Sequence, residues 1–145
     1  LEQFRYQAHA LRQQLELLRS VPVLQIPIFG DIWSDHVLFN NDEVSAILDF
    51  GAMKVESPCL DIARLFGSYA DYSPDALRRG ISYYRELREL NDLDLGLIEL
   101  YDRGYVILAG IQWLIWIELE QRVFSDNEAV RQRLHRLVRR CEPAI

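Results

Sequence analysis

The sequence predicts a mainly α chain of the α+β kind, a helical domain carrying one small β-hairpin. Three observations predict it. Apolar residues recur at helical spacing through most of the 145 residues. Ser-Pro pairs at 57–58 and 73–74 have the chemistry of helix starts. Two short apolar runs, 36–39 and 44–49, flank the turn-forming "NNDE".

Residues 2–19 form the first expected helix, with Phe4, Leu11, Leu15 and Leu18 on one stripe and Pro22 as its stop. Residues 23–28, "VLQIPI", read as extended chain, because Pro27 bars regular helix. The hairpin follows. Ser57-Pro58 opens a helix to about Tyr69, and Ser73-Pro74 opens another to about Leu90. Residues 94–122 are apolar on several faces and predict a long, central, buried helix. Ser125-Asp126 caps a last helix, "NEAVRQRLHRLVRR".

Length and composition bound the rest. The chain is one domain's worth, 50% apolar and 26% charged, as a globular domain requires. A net charge of −6 opposes a nucleic-acid partner, whose phosphates want a basic face. Cys59 and Cys141 are too far apart in sequence to be a metal-spaced pair and read as reduced thiols of a cytoplasmic protein. No signal peptide is visible. The longest apolar run, "YVILAGIQWLIWIELE", is broken by Gln112 and ends in acids, so no membrane span is expected. The chain starts at Leu1 without methionine and is expected to be a fragment or processed piece.

The informative stretch is "FGDIWSDHVLFNNDEVSAILDFGAM", residues 29–53. Folding it about its turn sets His36 opposite Asp49, give or take a residue. Asp31 lies on the loop feeding the hairpin and can return over the same end. Two carboxylates converging this way repel unless a cation sits between them, and oxygen ligands suit a hard ion such as Mg²⁺. The plain alternative is that each aspartate serves a turn or a helix cap.

"FGDIWSDHVLF" followed by "VSAILDFG" resembles the core of the kinase-like phosphotransferases, nearest to the aminoglycoside phosphotransferase and choline kinase family. That family's motif runs His-Gly-Asp, four residues, Asn, then an apolar run ending in Asp. "ESPCLDIARL" resembles its next segment. The resemblance implies a helical, substrate-binding C-terminal lobe of a protein-kinase-like fold, using ATP and Mg²⁺ to phosphorylate a hydroxyl of a small molecule. It implies that Asp31 orients or deprotonates that hydroxyl and that Asp49 holds the metal. It implies that Gly30 lets the backbone approach closely beside Asp31, and that Asp61 anchors the Asp31 loop through backbone hydrogen bonds. Phe29 stands where the family has histidine, and His36 where it has a metal-binding asparagine. Imidazole is a poor Mg²⁺ ligand. His36 is therefore open to three readings: a contact to metal or phosphate, a hydrogen-bonding neighbour of a one-metal site, or a mark of lost catalysis.

A kinase of this type also needs a glycine-rich loop and a strand lysine paired with a helix glutamate. The seven glycines are scattered, and the only lysine, Lys54, follows the motif. The expectation is one domain, the C-terminal lobe alone, with the nucleotide-clamp lobe absent and little or no ATP turnover. The face left bare would then favour self-association. Trp113 and Trp116 read as core. Glu118 and Glu120 are candidates to face a cationic substrate. Two alternatives stand beside the enzyme: a pseudokinase-type binding module, and a metal hydrolase built on Asp31, Asp35, His36 and Asp49.

Overall fold

The computed structural model describes residues 2–70, 73 and 75–141, with side chains from residue 5 onward. Phe4's packing and the proposed helix start at Pro74 lie outside that set. The chain forms two compact units. One comprises residues up to Val21 together with those from Arg103 onward; the other is Pro22–Asp102.

The second unit holds the motif. Strand β1, Ile26–Ile28, pairs antiparallel with β4, Lys54–Glu56, in the register Ile26 to Glu56 and Ile28 to Lys54. Residues 54–56 were not legible as a strand. A three-residue strand shows too little alternation to read, and its partner carries Pro27. The hairpin is β2, Val37–Asn40, with β3, Glu43–Ile47, and its register slips at a bulge between Leu38 and Phe39. Asn41 makes the turn with a left-handed backbone, φ 55°, which asparagine tolerates. A single 3₁₀ turn, Ser34–His36, leads into β2.

Helix α2, Pro58–Ala70, starts where the Ser-Pro pair said it would. The Ser57 hydroxyl accepts from Cys59 N–H at 3.3 Å. The helix buries Cys59, Ile62 and Ala63, and packs against α3, Ala76–Leu87. Helix α3 stops at Leu87, three residues short of the expected Leu90. Helix α4, Asp92–Leu114, begins two residues early on a reciprocal cap: Asp94 N–H donates to the Asn91 side chain at 2.9 Å, and Asn91 N–H to Asp94 at 3.1 Å. Its inward residues Leu97, Ile98 and Leu100 are buried in this unit's core with Ile28 and Ile32.

In the other unit, α1, Glu2–Leu18, packs against α5, Asn127–Cys141. Leu11 is buried there, but Leu15, expected on the same stripe, is exposed. Gln7 donates to the Cys141 carbonyl at 3.4 Å, and Arg133 to the Tyr105 hydroxyl at 2.7 Å. The long helix expected to 122 leaves α-geometry at Leu114 and continues as one π-turn, Ile115–Leu119. Trp113 and Trp116 meet edge to face, centroids 5.1 Å apart, and Phe124 adds to them at 5.4 Å. Asp126 caps α5 through Ala129 N–H at 2.9 Å, as the sequence indicated. Among the described residues no helix is long and apolar enough to cross a membrane.

Candidate active site

The site grows from one loop latched onto one helix. The loop is Phe29-Gly30-Asp31, directly after β1. The helix is α2, whose Asp61 and Arg64 are one turn apart on a shared face. Asp61 accepts two backbone hydrogen bonds, from Phe29 N–H at 2.7 Å and Gly30 N–H at 2.9 Å. A carboxylate doing this is a charge-assisted clamp. Arg64 Nε donates to Asp31 Oδ1 at 2.9 Å. The Arg64 side chain is mostly buried, whereas Asp31's is 57% exposed. The second carboxylate oxygen of Asp31 therefore remains accessible for another donor.

Gly30 sits at φ +81°, and a Cβ there would collide with the Ala52 carbonyl oxygen. This close approach sets the 29–31 loop against the 50–53 loop. Phe29 and Phe50 reinforce it, ring centroids 5.4 Å apart. Beneath Phe29 lies an apolar hollow of about 290 Å³, walled by Ile28, Met53, Ile62, Phe66 and Tyr84.

Asp49 follows β3 by two residues. Its backbone is left-handed, φ 60°. Its Oδ1 accepts from Gly51 N–H at 3.2 Å, and its side chain is 63% exposed. Its Oδ2 faces His36 Nε2 at 3.9 Å, too far for a hydrogen bond. The pairing of Val37 with Ile47 puts His36 beside Leu48, whose N–H donates to the His36 carbonyl at 2.8 Å. Asp49 is thus one residue past the position opposite His36.

Sequence reasoning missed Trp33. Its indole N–H donates to His36 Nε2 at 2.7 Å. Its ring meets the His36 ring edge to face, and the Arg64 guanidinium lies over it at 5.5 Å. A continuous series of contacts, Asp31–Arg64–Trp33–His36, therefore runs from one carboxylate to the imidazole facing the other. The missed signal was spacing: Asp61 and Arg64, like Trp33 and His36, are three residues apart.

Asp49 fits a hard cation: its side chain is largely exposed, Oδ1 accepts from Gly51 N–H, and among the described residues no hydrogen-bond donor reaches Oδ2. Among the described residues no three His, Cys, Asp or Glu side chains gather as a metal cage. Mg²⁺ does not need one, since it keeps waters and binds through one or two carboxylates plus phosphate oxygens. The hydrolase alternative would use Asp31, Asp35, His36 and Asp49 together. Asp35, its fourth proposed ligand, is exposed and accepts from the Ser34 hydroxyl at 3.2 Å. Glu118 and Glu120 belong to the other unit. Both are exposed, and Glu120 is held by Arg122 at 2.5 Å.

No curated protein matches the chain. Residues 1–95 match the family model described as "Phosphotransferase enzyme family". That span contains the Gly30-Asp31 loop, the hairpin, Asp49 and the Asp61–Arg64 face of α2. The chain belongs to the phosphotransferase enzyme family.

Proposed function

We propose that the chain is the acid-bearing, substrate-binding part of an ATP-dependent phosphotransferase acting on a hydroxyl of a small molecule, such as an aminoglycoside-like compound, a sugar or an amino alcohol. One observation carries the reading. Asp61 clamps the Asp31 loop by two amides while Gly30 packs that loop against the segment following Asp49.

Asp31 has the role of orienting the attacking hydroxyl. Arg64 fixes one of its oxygens, and the other accepts the hydroxyl hydrogen. Held in place by the guanidinium, Asp31 serves to position the hydroxyl. That suits phosphoryl transfer, where alignment and charge neutralisation matter more than covalent assistance. Asp49 would hold Mg²⁺, which when bound neutralises charge on the nucleotide phosphates. His36 is taken as a hydrogen-bonding neighbour, since its Nε2 is engaged by Trp33.

The test measures binding of Mn²⁺, an electron-spin-visible substitute for Mg²⁺, with and without ATP. Asp49→Asn is expected to abolish the binding and Asp31→Asn to preserve it. Equal Mn²⁺ binding by wild type and Asp49→Asn would overturn the reading. Phosphate transfer to a panel of hydroxylated amines is expected to be slight or absent for the chain alone. Asp49-dependent cation binding with no transfer, even when a nucleotide-clamp lobe is supplied, would instead favour a pseudokinase-type binding module.

A further inference from the structure

We propose that Trp33 sets the metal preference of this site by keeping the His36 imidazole out of it; the inference rests on Asp49 holding the cation. His36 Nε2 has two neighbours, Trp33 Nε1 at 2.7 Å and Asp49 Oδ2 at 3.9 Å. An indole N–H can only donate. Nε2 must therefore be the acceptor, and the imidazole proton sits on Nδ1. Nδ1 is buried and has no hydrogen-bond partner. The ring thus has no nitrogen free for a metal. The lone pair on Nε2 is spoken for, and Nδ1 is both protonated and enclosed.

The consequence is chemical selectivity. Carboxylate and water oxygens suit Mg²⁺ and Mn²⁺, whereas imidazole nitrogen adds affinity for Zn²⁺ and its neighbours in the transition series. Nε2 is the nitrogen that faces Asp49. If its lone pair were released, Asp49 and His36 would form an oxygen–nitrogen pair that favours Zn²⁺. Trp33 is itself well held, packed edge to face on His36 and lying against Arg64. One hydrogen bond from a residue outside the metal site thereby leaves the site to oxygen ligands.

Trp33→Phe keeps an aromatic ring at the position but removes the indole N–H together with part of the ring's bulk, so the double variant with His36→Leu serves as its control. The whole chain carrying Trp33→Phe is compared with wild type by two measurements. The first is imidazole ¹⁵N NMR at one neutral pH. Wild-type His36 is expected to carry its proton on Nδ1, and the variant to move it wholly or partly to Nε2. The second is the ratio of Zn²⁺ to Mg²⁺ affinity. It is expected to rise about tenfold to a hundredfold in the variant, the usual scale for outer-shell changes. Adding His36→Leu, which carries no ligand atom, to Trp33→Phe should return the ratio to the wild-type value. This control removes any contribution from His9, His135 or the cysteines.

An unchanged ratio, or a wild-type proton on Nε2, would overturn the proposal. His36→Leu alone gives a second route should Trp33→Phe not fold. It is expected to leave Mg²⁺ affinity little altered, and a tenfold fall would overturn the proposal. Asp49→Asn separates the two levels. If it fails to weaken Mg²⁺ binding, the underlying reading falls too. If it abolishes Mg²⁺ binding while Trp33→Phe leaves the ratio unmoved, only the role of Trp33 falls.

Discussion

The Asp61 carboxylate holds the Gly30 amide at 2.9 Å across thirty-one residues of sequence. With the Phe29 amide at 2.7 Å, it satisfies two backbone donors at the start of the motif loop. Both are bonds to a charged acceptor, a class that contributes about 1.5–3 kcal/mol each. Asp61→Asn leaves one acceptor oxygen for two donors. It is expected to cost roughly 1.5–3 kcal/mol, read as a lower urea midpoint with an unchanged slope. A midpoint equal to wild type would mean the latch contributes nothing to stability.

Two glycines should respond oppositely to alanine. At Gly30 the added methyl meets the Ala52 carbonyl, and the backbone is already left-handed. Gly30→Ala is expected to destabilise by at least about 1–3 kcal/mol. Gly96 lies within α4 with nothing within 4 Å of a new Cβ. Gly96→Ala is expected to stabilise by about 0.5–1 kcal/mol through helix propensity. Thermal or urea unfolding of the pair checks the contrast.

The Asp31–Arg64 pair should matter little to folding. Asp31 is more than half exposed, and exposed ion pairs contribute less than about 1 kcal/mol. Asp31→Asn is expected to shift stability by no more than that. Any larger loss in phosphate transfer, measured with a nucleotide-clamp lobe supplied, would then be attributable to the reaction and not to unfolding. Circular dichroism melts alongside transfer assays separate the two.

Alkaline pH should weaken the fold. Burial is the main reason that Cys59's thiol lies above its ordinary value; Asp94 pushes the same way and the Ser57 hydroxyl bond opposes. Burial also raises Cys141, Tyr69 and Tyr101. A raised value means the folded state holds its proton longer than the unfolded chain does. The stabilisation is complete below the unfolded thiol's value, roughly 8.5, and is lost as pH climbs past it. Urea midpoints should therefore hold level between about pH 7 and 8 and then fall. Cys59→Ala, less stable throughout, should show a shallower fall.

How much of this was legible in the sequence follows from where each signal lives. The Ser57-Pro58 start of α2, the Asp126 cap of α5 and the hairpin are local features, and each appears in the fold where the residues put it. Strand β4 was not readable, since its identity lies in its pairing with β1, about thirty residues away in sequence. The π-turn at Ile115–Leu119 was likewise hidden, because apolar residues on several faces look the same in either helix type. The acids at 31, 49 and 61 stood out by motif. Trp33 and Arg64 did not, because tryptophan in an apolar run and arginine on a helix each look ordinary. Their importance lies in what they touch.

Asp49's left-handed backbone bears on how any mutational survey of this chain is interpreted. Alanine or valine there changes two things at once, removing the carboxylate and forcing a side chain into a conformation it resists. Asparagine tolerates that conformation as well as aspartate does, while losing the charge and exchanging one acceptor oxygen for an NH2 group. Saturation data at this position would therefore sort replacements by backbone tolerance as much as by chemistry. Asn against Asp is the comparison in which the carboxylate's chemistry is weighed with the backbone held constant.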